Sequence, residues 1–165
     1  MRSDSEFLAK LCDDIPLLSH MGLSQLSYQF PELSLHAKFL PNINDKGTGF
    51  GGSMATLMTI SGWSLVTRLL EAQGLDCDVM IHRSSIEFLL PVHGDFYATA
   101  SIAETDQPQR EAEVFFDRIL TRERAALEVA IHLREVGAEH PSCVMLGRYV
   151  AIKKQPESPP LFDPA

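Results

Sequence analysis

The sequence predicts one α+β domain in which a curved antiparallel sheet wraps a single long helix. Three observations lead there. Between Lys46 and Arg68 there is no charged side chain. From Asp78 onward, apolar and polar residues alternate with period two through several runs. The connections between those runs are short, which favours antiparallel neighbours. A sheet with one apolar face needs a cover, and the only long apolar segment is the uncharged one.

The elements follow in chain order. Ser3-Asp4-Ser5-Glu6 has the spacing of a capping box, so a short amphipathic helix runs to about Asp13. Pro16 can open a second helical turn that Gly22 closes. Gly22 to Phe30 reads as a strand, Pro31-Glu32 as a turn, and Leu33 to Phe39 as a half-buried strand. Pro41 to Gly52 is a polar, glycine-rich loop. The uncharged helix follows it, with Arg68 in its last turns, where the helix dipole favours a cation, and Gly74 at its C′ position. Asp78–Leu90, Asp95–Glu104, Glu111–Thr121, Arg124–Val136 and Ser142–Lys153 each alternate as strands. Thr105 to Arg110 and Arg122-Glu123 serve as connections. Residues 1–154 form the domain, and 155–165, rich in proline, form a loose tail.

The 165 residues suffice for a core without disulfides. A net charge of -8 argues against nucleic acid or an anionic membrane as the main partner. Cys12, Cys77 and Cys143 are odd in number and widely spaced, which points to a reduced, cytoplasmic setting. Residues 1–6 are polar and lack the apolar run of a signal peptide. The uncharged stretch is long enough for a membrane span, but its Ser, Thr and Gly content favours a core helix. Six histidines show no metal-ligand spacing, and the glycine-rich loop lacks the Lys-Ser/Thr pair of a phosphate loop. No metal and no cofactor are expected. The helix is apolar on more faces than one sheet can cover, which predicts a homodimer, with a tetramer left open.

Asn42-Ile43-Asn44-Asp45-Lys46-Gly47-Thr48-Gly49-Phe50-Gly51-Gly52-Ser53 resembles the signature of the YiiD C-terminal-type thioesterases, a branch of the hot-dog fold superfamily. Gly62-Trp63 is similar to that family, as is Ser85-Ile86-Glu87-Phe88-Leu89-Leu90-Pro91-Val92-His93-Gly94-Asp95. The likeness runs from about Ile15 to Ile152. It implies a hot-dog dimer with pockets shared between the chains. It also implies an acyl thioester substrate, carried by coenzyme A or by acyl carrier protein.

Thioester hydrolysis needs donors for the carbonyl oxygen and a base or carboxylate nucleophile. The backbone N–H groups of Phe50, Gly51 and Gly52 are the candidate donors. Many hot-dog thioesterases carry an acid about two turns into the helix, and others a His before the paired glycines. Here Phe50 stands at the His-like place, and Thr56, Thr59 and Ser61 are uncharged. The base must then come from elsewhere. Asp45 is the first choice, with Asn44 orienting water or the carbonyl and Glu87 a distant alternative. Asn42, Thr48, Phe50 and a partner chain's copy of Ser85 are candidates for substrate contact. Asn42, Asn44 and Asp45 are equally the residues that build turns. Two rivals share the crevice: a hydratase or dehydratase of acyl thioesters, and a non-catalytic acyl-CoA binder.

Overall fold

A computed structural model describes residues 2–103 and 105–155. Helix α1 spans Asp4–Asp14 and opens on the expected capping box, with Ser3 Oγ accepting from Glu6 N and Glu6 Oε2 accepting from Ser3 N. Helix α2 is a single turn, Pro16–Ser19. Strands β1 (Leu23–Gln29) and β2 (Glu32–Ala37) pair antiparallel. A 3-10 turn, Leu40–Asn42, leads through the loop to helix α3, Gly51–Ala72. Strands β3 (Cys77–Phe88) and β4 (Phe96–Ile102), helix α4 (Pro108–Arg122), and strands β5 (Arg124–Glu135) and β6 (Cys143–Lys153) complete the order. The expected tail lies outside the described residues from 156 onward.

All six strands join one antiparallel sheet in the order β1-β2-β4-β5-β6-β3. Its concave face presents Leu33, Leu35, Ala98, Ala100, Ile131, Leu133, Met145 and Tyr149 to α3, and all are buried. From the helix, Leu57, Met58, Leu65, Val66, Leu69 and Leu70 fill that concavity. The arrangement is the hot-dog fold, with α3 enclosed by the sheet.

The C-terminus of α3 ends as its glycine predicts. Gly74 has φ +66, its N–H reaches Glu71 O, and Leu75 N–H reaches Leu70 O. These two bonds make a Schellman motif. At mid-helix, Gly62 lies against the ring of Tyr149, and a Cβ there would fall 2.3 Å from the phenol oxygen. That oxygen donates to Thr59 O at 2.9 Å, and burial holds the phenol's pKa well above its ordinary value. The Tyr149 ring therefore fills the gap between sheet and helix up to the Gly62 main chain at the centre of the core.

Two expectations need correction. The segment Glu111–Thr121 is not a strand but most of α4. Its buried residues are Ala112, Phe115 and Ile119, spaced by three and four, whereas Val114 is exposed. Reading Ala112, Val114 and Phe116 as a period-two face mistook a helical stripe, and Pro108 opens that helix in the first turn, where proline is tolerated. Arg68 is also not a cation for the helix dipole. It is 2% exposed and clamps α1 to α3, bonding Asp4 Oδ1 at 2.8 Å, Glu71 Oε2 at 3.3 Å and Arg2 O at 2.7 Å. Its guanidinium also lies over the rings of Phe7 and Tyr28.

The Gly62–Tyr149 contact leaves no room for a methyl group, because Tyr149 is fully enclosed. Gly62→Ala is expected to lower unfolding free energy by about 1–3 kcal/mol through overpacking, despite the better helix propensity of alanine. Urea denaturation of the two proteins measures it, and equal midpoints would contradict the contact.

Candidate active site

The loop ahead of α3 is built by its own asparagines. Asn42 is buried, and its Nδ2 donates to Met21 O and Lys38 O, each at 2.7 Å. Asn42 O accepts the Phe50 N–H at 2.7 Å. Asn44 closes the turn: Oδ1 accepts from Lys46 N at 2.8 Å and Thr48 N at 3.0 Å, and Nδ2 donates to Thr48 Oγ1 at 2.8 Å. Gly47, at φ +76, supplies the left-handed position of that turn. Gly49 N–H bonds Val92 O at 2.8 Å, tying the loop to the segment after β3. Asp95 fixes the other side, accepting from Lys38 Nζ and from Phe39 N, which lowers its pKa.

This scaffold delivers a bare helix terminus. Phe50 is the N-cap residue and provides no side-chain cap. Gly51, Gly52 and Ser53 are the first three helical positions, so their N–H groups have no intrahelical partner. The Phe50 ring lies over Gly52, where a Cβ would fall 2.4 Å from it, and the Phe88 ring lies 3.5 Å from the corresponding point at Gly51. Both rings are over half exposed, at 54% and 55%. Leu89 and Leu90 continue this apolar rim. Three donors, the positive end of a 22-residue helix and an apolar surround can hold a carbonyl oxygen as it gains charge.

The sequence candidates divide around this mouth. Gly51, Gly52 and Phe50 meet there. The Phe50 N–H is not a free donor, because Asn42 O takes it, and Ser53 replaces it as the third. Asn42 and Thr48 are engaged in holding the loop. Asp45 sits at the tip of the turn with its side chain 82% exposed, 3.3 Å from Lys46 Nζ. Ser85 lies on edge strand β3 opposite Leu146, on the sheet face turned away from α3, beside Arg83, Glu128 and Arg148. Behind the rim, Cys143 pairs with Phe88 in the β3–β6 ladder, and burial pushes its thiol up to about 11, so it is a protonated packing group at neutral pH. Two features escaped sequence reasoning. Ser53 was recoverable by counting three positions from the helix start. Phe88 was not, since its face depends on the β3–β6 register.

A family model described as "Putative thioesterase (yiiD_Cterm)" matches residues 5–153. The chain belongs to this family. The family's fold is seen again in solved structures. A protein of unknown function from Chlorobaculum tepidum is 26% identical, covering 91% of this chain and 94% of its own, at a TM-score of 0.80. A structure from Shewanella oneidensis described as a "putative thioesterase" is also 26% identical, covering 89% and 96%, at a TM-score of 0.74. A Pseudomonas aeruginosa protein described as a "probable thioesterase" shares the fold at 17% identity, covering 93% and 99%, with a TM-score of 0.71.

Asn42 is the hinge of the mouth's scaffold in this family member. Asn42→Ala strands the buried Met21 carbonyl and the partly buried Lys38 carbonyl and is expected to cost roughly 1–3 kcal/mol of stability. Comparing thermal and urea unfolding with wild type tests this, and an unchanged midpoint would show the amide to be dispensable.

Proposed function

We propose that this protein hydrolyses acyl thioesters of coenzyme A or an acyl carrier protein. The observation that carries the reading is the uncapped start of α3, where the Gly51, Gly52 and Ser53 N–H groups face an apolar rim. The thioester carbonyl sits over these donors, and the acyl chain runs along Phe50, Phe88 and the neighbouring leucines. Asp45 is the base in this reading, since it is the only carboxylate between Pro41 and Ala72 apart from Glu71 at the far end of the helix. Asn44 holds the turn that carries it.

The crevice is completed by a second copy. Strand β3 is a 12-residue edge, exposed along most of its length, with Met80, Ile81 and Phe88 among its outward residues. The opposite edge is guarded, because Asp4 Oδ2 accepts the Tyr28 N–H of β1 at 3.0 Å. An open strand of that length invites pairing, and two-fold pairing of β3 with its copy gives a closed homodimer. Each helix mouth then faces the partner's β3. A second reading, acyl-thioester binding without hydrolysis, draws on the solvent exposure of the Asp45 carboxylate.

Two substitutions separate the roles. Gly51→Pro removes one donor at the first helical position, where proline fits; the extended Phe50 backbone suits a following proline. It is expected to lower kcat by roughly 10²–10³ with the fold retained. Asp45→Ala is expected to lower turnover by about 10² or more. A free-thiol assay over a panel of acyl-CoA and acyl-carrier-protein substrates reads both. Full turnover in Asp45→Ala would remove that residue from the mechanism, and substrate binding without thiol release in wild type would favour the second reading.

A further inference from the structure

Basic side chains of this acidic chain gather in one place, away from the helix mouth. Where the end of α4 meets β5, β6 and β3, Arg118, Arg122, Arg124 and Arg148 line an open depression of roughly 470 Å³ together with His82. Arg83 adjoins it, sharing Arg148 with a neighbouring hollow. The chain's net charge is -8, so general excess of base does not explain the cluster.

The arginines are also poorly placed for stability alone. Arg118 and Arg122 are one helical turn apart on α4, a spacing at which like charges repel. Arg83 and Arg148 stand directly opposite each other in the β3–β6 ladder, again like against like. One carboxylate, Glu128, answers that second pair, at 3.3 Å from Arg83 and 3.4 Å from Arg148. Among the described residues, Arg118, Arg122 and Arg124 form no ion pair. Placement near the C-terminus of α4 accounts for Arg122 through the helix dipole, but not for the others.

We propose that this depression binds the phosphate groups of a nucleotide. Guanidinium forks match phosphate oxygens in pairs, and several converging on one hollow suit a ligand with more than one phosphate. The volume is that of a small-molecule site, Ala126 and Val150 give it an apolar floor, and the His82 ring stands at the β3 bulge beside it. A bound polyanion turns the Arg118–Arg122 pair into shared ligands, with Arg124 and Arg148 beside them. The phosphates belong either to a free nucleotide or to the nucleotide end of a coenzyme A substrate. The site itself does not depend on the thioesterase reading; only the second source does.

Titration calorimetry of the full-length protein with adenosine 3′,5′-bisphosphate, coenzyme A and pantetheine tests it. Adenosine 3′,5′-bisphosphate is expected to bind, more weakly as salt rises, while pantetheine gives no heat. The pair Arg118→Gln with Arg122→Gln, and separately Arg124→Gln, should weaken binding tenfold or more. Lys10→Gln, a surface charge on α1, should not. A tenfold rise in KM for acyl-CoA at constant kcat, with acyl-pantetheine unaffected, would identify the substrate as the source. Bisphosphate binding with KM unchanged would identify a free nucleotide. No binding of the bisphosphate, binding indifferent to all three arginine changes, or arginine-dependent binding of an acidic carrier protein alone would overturn the proposal. Loss of hydrolysis would not, because the calorimetry needs no thioester.

Discussion

The molecule depends on burying one helix inside one sheet without closing the helix's first turn. Burial is carried so far that the Tyr149 ring lies directly on the Gly62 main chain. At the N-terminus the same helix begins on Phe50, a residue that offers no side-chain acceptor. Ser, Thr, Asp or Asn would be the stabilising choice there, by about 1 kcal/mol. Asn42 is near in sequence, yet its amide is turned inward to Met21 and Lys38. The open donors therefore persist although an acceptor side chain is close in sequence, as the proposed carbonyl site requires.

The two edges of the sheet are treated differently, and the difference follows from α1. The Arg68 clamp holds α1 against α3 and places Asp4 where it also caps an N–H of β1. Among the described residues no such device covers β3. Its last residue, Phe88, lies against Gly51, so the exposed edge and the helix mouth are neighbours. A second copy paired along β3 would finish both together.

Charge is distributed with similar separation. The segment from Gly47 to Thr67 carries none, which keeps the surroundings of the mouth at low polarity and makes oriented N–H groups more effective there. Arginines collect instead on α4 and on the convex face of β3, β5 and β6.

Much of this was legible in the residues. The capping box, the Gly74 stop, the uncharged core helix and most strands follow from local rules, because caps and period-two faces are short-range properties. The loop motif also pointed to the helix mouth. α4 was misread, since Ala112, Val114 and Phe116 alternate as neatly as a strand face while Ala112, Phe115 and Ile119 make the stripe that packs. Only the fold could choose between those periods, because the choice turns on what lies opposite. Long-range contacts likewise set the rest: Arg68 as a clamp 64 residues from Asp4, Phe88 beside Gly51, and the Phe50 N–H claimed by Asn42. Local chemistry wrote the elements and the open helix start into the chain, whereas which side chains face that start, and which amides stay free, depended on strand register and packing between segments remote in sequence.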